Sequence, residues 1–389
     1  MKLRVAVFTG TRAEYGLLRP LIQRLAASPK CTLQTIVSGS HLSPEFGHTV
    51  SDIEEDGVQI DERVEMLLSS SSKVGVAKSA GLGLISFAEA LGRLEPDVLV
   101  VLGDRYEALA IAQAALLLEI PIAHLHGGEI SEGSADDAMR HMITKASALH
   151  FVSNVQHRQR VIQLGECPSR VHNVGALVAD QIRDEGKHLS AQQLSCIFNF
   201  DFSKPYCLLT YHSAGFSSEH PGDTVQNILT AITSKPELGI VASYPNADAG
   251  GREIVDRLEE ASSQLGGQML LVESLGIDRY LSAMKLAEFV IGNSSSGIIE
   301  APFVQTPSVN VGARQVGRLC ANSVVSCGVS SLEITKGIDT AMNVNWAEIS
   351  NPYYVGYSPA ERIVKELIAA QLSSQKKFFD LPGGSQWSK

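Results

Sequence analysis

Short runs of β-branched and aliphatic residues alternate with stretches of helical periodicity along the chain. In the first half the runs fall at residues 4–9, 33–38, 97–102, 120–125, 149–153 and 170–174. They are nearly continuous in apolar character, as strands buried on both faces of a parallel sheet must be. Between them the period changes. Leu17, Leu18, Leu21, Ile22 and Leu25 recur at helical spacing and predict a helix over 14–27, and a second is expected over 106–118. The polar, strand-poor segment 184–204 reads as a hinge. The rhythm then restarts, with runs at 206–211, 239–243, 269–272, 289–292, 308–311 and 324–327. A last helix is expected over 359–372, followed by a loose end containing Gly383-Gly384-Ser385.

This alternation predicts an α/β protein of two successive Rossmann-like, doubly wound units. The expected domains are 1–183, with the helical segment 358–374 packing back on it, and 184–357, leaving 375–389 as a loosely ordered tail. A length of 389 residues is too much for one ordinary core and agrees with two. Ligands of doubly wound sheets bind outside the carboxyl ends of the strands. The chemistry is therefore expected in the loops that follow the strands, in a cleft between the two domains.

Composition narrows the partners. The net charge is −10 and no Lys/Arg stripe occurs, which argues against nucleic acid but not against a small phosphorylated ligand. The six cysteines show no metal-ligand spacing and read as reduced cytosolic thiols; no metal or cofactor is expected. The opening Met1-Lys2-Leu3-Arg4-Val5-Ala6-Val7-Phe8 is too short for a signal-peptide core. The longest apolar stretch, 108–118, is interrupted by Gln113 and falls short of the roughly 20 residues of a membrane span. A cytoplasmic protein without membrane contact is the expectation.

The loops after the strands carry unusual residues. The first strand runs into Gly10-Thr11-Arg12-Ala13-Glu14-Tyr15-Gly16 and a helix. A tight turn, a helix start and a guanidinium suit a phosphate, although a plain strand–helix turn looks the same. Gly103-Asp104-Arg105-Tyr106-Glu107 places a carboxylate beside an arginine, either for chemistry or as a helix cap. In His124-Leu125-His126-Gly127-Gly128-Glu129 the double glycine favours close approach of a ligand. A metal on the two histidines lacks a third ligand at a recognisable spacing. Asp136-Asp137 open a helix, where acidic residues also serve the helix dipole.

In the second half, His212 ends a strand and suits acid–base work or a structural role. Asn246 and Arg252 follow the next strand. In Gly292-Asn293-Ser294-Ser295-Ser296-Gly297 hydroxylated residues at a helix start make an anion nest, with Glu300 within that helix placed for ribose hydroxyls. Arg314 and Arg318 add two guanidiniums. A nucleoside diphosphate is the ligand this set predicts.

Taken in order, Gly-Thr-Arg-Ala-Glu-Tyr-Gly, Gly-Asp-Arg-Tyr-Glu, His-Gly-Gly-Glu and Met139-Arg140-His141 resemble the UDP-N-acetylglucosamine 2-epimerase family, in its hydrolysing branch, over nearly the whole chain. The resemblance implies a GT-B fold and UDP held mostly by the second domain. It implies UDP contacts for Arg12, His212, Ser294, Ser295, Glu300 and Arg314, and catalytic carboxylates at Asp104 and Asp136. Where relatives carry a catalytic Glu, this chain has His126, so His126 or Glu129 takes the acid–base role there. Ser213, in place of a family proline, and Ala214-Gly215-Phe216 depart from the pattern. The implied reaction turns UDP-N-acetylglucosamine into N-acetylmannosamine and UDP through a 2-acetamidoglucal, with UDP-2,4-diacetamido-2,4,6-trideoxyglucose as the other substrate of the branch. The loops 41–47 and 129–135 are the candidates for telling the two sugars apart. A glycosyltransferase and a non-catalytic sugar-nucleotide sensor share the nucleotide site. A homo-oligomer, dimer or tetramer, is expected.

Overall fold

The alternating runs form two parallel sheets. The structure is a computed structural model that describes residues 2–44, 48–68, 72–132, 135–184, 188–213, 220–245 and 251–381. The first sheet consists of β1 (Leu3–Thr9), β2 (Cys31–Ser38), β3 (Glu62–Val64), β4 (Val98–Leu102), β5 (Ile122–Leu125), β6 (Leu149–Val152) and β7 (Val171–Asn173), in the order β3-β2-β1-β4-β5-β6-β7. The second consists of β8 (Tyr206–Thr210), β9 (Gly239–Ser243), β10 (Met269–Val272), β11 (Phe289–Gly292), β12 (Ser308–Val311) and β13 (Val324–Cys327), in the order β10-β9-β8-β11-β12-β13. Strand order reverses between β1 and β4 in one sheet and between β8 and β11 in the other. Those two switch points are where doubly wound sheets bind ligands.

The helices of the first half are α1 (Arg12–Ala27), α2 (Val50–Glu55), α3 (Lys73–Leu94), α4 (Tyr106–Leu117), α5 (Ala135–Ala146), α6 (Val155–Gln163) and α7 (Val178–Arg183). Those of the second half are α8 (Ala191–Phe198), α9 (Pro221–Thr233), α10 (Gly251–Leu265), α11 (Ile277–Leu286), α12 (Ser296–Ile299), α13 (Ser331–Met342) and α14 (Pro359–Ala369). Two compact units result. One comprises Met1–Glu129, Asp136–Asp180 and Val355–Lys389; the other Ile130–Ala135 and Gln181–Tyr354.

The two-residue period of β1 divides its side chains between the two faces of its sheet. Val5 and Val7 point into a core with Leu18, Leu21 and Leu25 of α1 and Ile363 and Leu367 of α14. Ala6 and Phe8 point the other way, onto Phe87 and Leu91 of α3 and Ile111 of α4. The second sheet repeats the arrangement, with Leu209 on one side and Leu208 on the other.

All twelve predicted runs are strands, trimmed at most by a residue or two. β3 escaped the pattern because it is a three-residue strand with one apolar side chain, paired at the sheet edge to Ile36–Ser38. Three expectations need correction. Segment 184–204 is not a simple hinge, because α8 forms there. Ser190 and Gln193 make a capping box at its start, and Leu194 and Phe202 are buried beneath it. The tail is docked over its first part: Lys376 donates to the Ser147 carbonyl at 2.7 Å and to Glu166 at 2.8 Å, and the Phe379 amide donates to the Gly165 carbonyl. Residues 382–389, with the glycines expected to be loose, lie outside the described residues. Finally, α3 is long and apolar enough by composition to cross a membrane, with a mean hydropathy of 1.3, a feature the uninterrupted-run criterion missed. Its inner face is spent on the core over β1 and β4.

Candidate active site

In the first unit the loops after β4 and β5 close on one buried guanidinium. Arg140, from α5, is 1% exposed. It pairs with Asp104, donates to the Glu129 carbonyl at 2.9 Å, and reaches Asp137 at 3.4 Å. Burial works against its charge, and the surrounding carboxylates hold it protonated. A rigid five-donor fork spread over three acceptors fixes the β4 loop relative to α5. Asp136, next to Asp137 in the first turn of α5, is half-buried.

His126 sits at the end of β5 with φ +61°, a left-handed backbone that costs a non-glycine residue about 1–2 kcal/mol. Its Nε2 accepts from the Leu177 amide at 3.4 Å, and its Nδ1 lies 3.2 Å from Glu129 Oε1. Behind it the chain continues: Asn154 Nδ2 donates to His157 Nε2 at 3.2 Å, His157 Nδ1 to Ser153 Oγ at 2.9 Å, and Ser153 to Glu129 Oε1 at 3.0 Å. Every member of this relay is under 9% exposed. Glu129 thereby bears on the orientation of His126 and joins the two residues that the sequence left as alternatives.

His124 is different. Its Nε2 donates to the Gly103 carbonyl at 2.7 Å, its Nδ1 meets Thr144 Oγ1 at 3.1 Å, and burial pushes it down to about 3. It is a neutral packing residue, and no cluster of three metal-ligating side chains occurs among the described residues. The double glycine also serves packing. A Cβ on Gly127 would lie 2.9 Å from both His124 Nδ1 and Thr144 Oγ1. One on Gly128, at φ +78°, would lie 2.5 Å from the His157 carbonyl oxygen.

Arg12 opens α1 but is paired with Asp52 at 2.9 Å, both side chains about one-third exposed, so a phosphate would have to displace that carboxylate. Arg105 leans on Glu107 at 3.3 Å. Beside them Glu14 accepts from the Gly10 amide at 2.8 Å, and burial together with Glu107 pushes it up to about 7. His41, at the start of one candidate specificity loop, is buried between Thr9 and Thr49, held neutral and down at about 4. Residues 45–47 and 133–134 of the two candidate loops lie outside the described residues.

In the second unit the residues converge at the β8/β11 switch point. Gly292 is required there: a Cβ would lie 1.9 Å from the Thr210 carbonyl oxygen. Asn293, 1% exposed, clamps His212, accepting from its amide and donating to its carbonyl, each at 2.7 Å. The Asn293 carbonyl in turn accepts from Arg314 at 3.1 Å and Gln315 at 2.8 Å. A hydroxyl relay leads outward. Tyr280, pushed up to about 12 by burial and so kept a donor, lies 2.5 Å from Ser296 Oγ, which donates to Ser294 Oγ at 3.1 Å. Ser295 precedes α12 without a side-chain cap bond.

Two sequence readings change here. α12 is a single turn ending at Ile299, because Pro302 cannot continue it, and Glu300 caps its end rather than lying within it. The nest therefore rests on hydroxyls more than on a helix dipole. Gly297 is a packing glycine, with the Ser308 hydroxyl 2.6 Å from where a Cβ would stand. Glu300 is 9% exposed and faces the Tyr280 phenol electrostatically. The Arg318 amide donates to the Gln315 carbonyl. Arg252 is exposed on the first turn of α10 and joins none of these contacts among the described residues. Asn246 and Ala214-Gly215-Phe216 lie outside the described residues. Sequence reasoning missed Asn293, Tyr280, Ser153 and His157. Only Asn293 carried a signal, as the one amide in a run of small residues.

Known proteins resemble this chain in sequence and fold. The chain is 36% identical over 332 residues to a GDP/UDP-N,N'-diacetylbacillosamine 2-epimerase (hydrolyzing) from Campylobacter jejuni, covering 85% of this chain and 86% of that one. It is 32% identical to the polysialic acid biosynthesis protein P7 of Escherichia coli, over 97% and 98% of the two chains. Its fold matches the crystal structure of the UDP-GlcNAc 2-epimerase of Methanocaldococcus jannaschii in complex with UDP-GlcNAc and UDP, with a TM-score of 0.79 at 19% identity over 95% of this chain and 100% of the other. The two parallel sheets with flanking helices are thus a GT-B fold. With the UDP-N-acetylglucosamine 2-epimerase family model matching residues 23–368, the chain belongs to that family.

Proposed function

We propose that the protein is a hydrolysing 2-epimerase of a UDP-linked 2-acetamido sugar, releasing UDP and the free sugar inverted at carbon 2. The observation that carries this reading is the buried constellation of Arg140 on Asp104 with the Glu129–His126 pair, which a nucleotide sensor has no use for. In an α-linked gluco sugar nucleotide the proton on carbon 2 has no carbonyl to acidify it. It becomes removable as the glycosidic bond breaks and positive charge grows on the ring. Stabilising the departing diphosphate therefore comes first, the task of Arg314, the Ser294–Ser296 hydroxyls and Arg12 once it leaves Asp52. Asp104 or Asp136 then takes the carbon-2 proton, and a 2-acetamidoglucal and UDP result. Water adds at carbon 1 while carbon 2 is protonated from the opposite face, a step that suits His126 backed by Glu129. Each acid–base group contributes roughly 10²–10⁴ in rate.

Between the two sugars, we read the 2,4-diacetamido-2,4,6-trideoxy sugar as preferred, against the expectation from the sequence. The support is the 36% identity to the relative named for N,N'-diacetylbacillosamine. Measuring kcat/KM for both UDP-sugars, with UDP release as the readout and no acceptor present, tests this. A preference of at least about tenfold for the diacetamido sugar is expected. The reverse ratio would restore UDP-N-acetylglucosamine, and UDP release only on adding an acceptor sugar would point to a glycosyltransferase.

A further inference from the structure

We propose that Asp52 of α2 is a resident counter-ion of Arg12 which the nucleotide's diphosphate must displace, and that this exchange sets how tightly UDP is held and how readily it leaves. The inference rests on the UDP-releasing reading above and adds to it a residue that lies outside the sequence motifs.

Two acidic residues at the α2 segment face α1. Asp52 and its C-cap, Asp56, stand one helical turn apart and so lie on the same side. The Tyr15 hydroxyl donates to Asp56 Oδ2 at 2.7 Å, and Arg19 lies 3.8 Å from the same oxygen. This contact is enclosed, with the Arg19 side chain 8% exposed, and Val50 and Ile53 of α2 are buried in the same core as Leu18 and Leu21 of α1. Asp52 meets Arg12 instead, Oδ2 to Nε at 2.9 Å, at the first residue of α1, just beyond the carboxyl end of β1. Those two side chains are 32% and 37% exposed, so this pair is open to solvent.

The buried residues and Asp56 already dock α2 on α1, and an ion pair as exposed as Asp52–Arg12 adds little to stability. What it changes is Arg12. The guanidinium is always charged and presents a planar fork that suits phosphate oxygens. Among the described residues Asp52 is its carboxylate partner. The other carboxylates nearby are turned elsewhere, Glu14 onto the Gly10 amide and Glu107 onto Arg105. A phosphate arriving at Arg12 forms a charge-assisted bond but breaks an existing one, and the freed carboxylate stays close enough to repel the new anion. The net grip on a diphosphate is therefore weaker than an unpaired arginine would give. Substrate and product both carry the diphosphate, so the offset acts on both and is not specific to the transition state. Its effect is greatest for the product, because free UDP carries more negative charge than the diester in the sugar nucleotide. When UDP departs, Asp52 takes Arg12 back.

Calorimetry of the full-length protein with UDP and with uridine tests this on the wild type, Asp52→Asn, Arg12→Ala, the double variant and Asp56→Asn. Asp52→Asn keeps the side chain's size and removes its charge. It should bind UDP about three- to tenfold more tightly, while uridine, which has no phosphate, binds as in the wild type. The gain should vanish where Arg12 is already alanine. Asp56→Asn should lower Tm without tightening UDP. UDP binding by Asp52→Asn no tighter than wild type would overturn the inference and leave the functional reading intact. So would a gain that persists without Arg12, or one of equal size with uridine. A wild type that binds no UDP would instead strike the functional reading, and this inference with it.

Discussion

Replacing Asn293 by alanine removes two hydrogen bonds of 2.7 Å each, one from the His212 amide and one to its carbonyl. Both residues are nearly inaccessible, at 1% and 7% exposure, so water replaces those partners poorly. A buried backbone group that loses its partner costs about 1–3 kcal/mol, which puts the loss at roughly 2–6 kcal/mol for the pair. The lower end applies if the gap admits a water molecule. For a unit of this size each kcal/mol lowers Tm by about 2–4 °C, so the second unit should melt at least about 4 °C lower. His212 also loses the clamp that sets its direction, and kcat/KM measured well below the transition should fall by at least about tenfold. Asn293→Asp sharpens the test. It keeps the acceptor for the amide but sets a buried carboxylate against the His212 carbonyl, and should be at least as damaging. Calorimetry and initial rates on both variants are sufficient. An Asn293→Ala protein with wild-type Tm and wild-type kcat/KM would refute the positioning argument.

Four further outcomes are expected. Asp104→Asn should abolish turnover while UDP affinity, read by calorimetry, changes little, whereas Glu300→Ala should weaken UDP binding by roughly 1–3 kcal/mol. Glu166 is held at about 2 against desolvation by His150, Lys145 and Lys376. A carboxyl depressed in the folded state contributes stability that is present above its unfolded value near 4.5 and is lost as pH falls towards 2. The stability gap between wild type and Glu166→Gln in urea titrations should therefore shrink steadily below pH 4.5, and a constant gap would remove Glu166 from the account. Gly128→Ala, pressed 2.5 Å onto the His157 carbonyl in a left-handed backbone, should destabilise the first unit and disturb the His126 relay, seen as a joint loss of Tm and kcat.

The sheets were legible because parallel strands buried on both faces must be apolar throughout, as Val98–Leu102 is. β3 was not, since an edge strand with one covered side chain leaves no such run. The polar segment before β8 misled because α8 is short and declares itself through a cap, Ser190 with Gln193, rather than through hydrophobic length. At the site, charged residues at strand ends stood out: Asp104, His126, Glu129 and Arg314 all take part in the buried networks. Their supports did not. Ser153 and His157 read as ordinary strand-end and helix residues, and it is the packing of α6 against the β5 loop that gives them a role. The packing demand at Gly127, Gly128 and Gly297 was not legible, because a sequence does not show which neighbours press on a backbone.

The proposed function requires carbon–oxygen cleavage and carbon-2 inversion to pass through an elimination and a hydration on this one protein. Proton NMR of the products formed from the UDP-sugar in heavy water addresses it most directly. UDP and a free, 2-epimerised sugar carrying deuterium at carbon 2 are predicted, because the original proton leaves on a carboxylate that exchanges with solvent. Full protium at carbon 2, or an epimerised sugar still joined to UDP, would contradict the account.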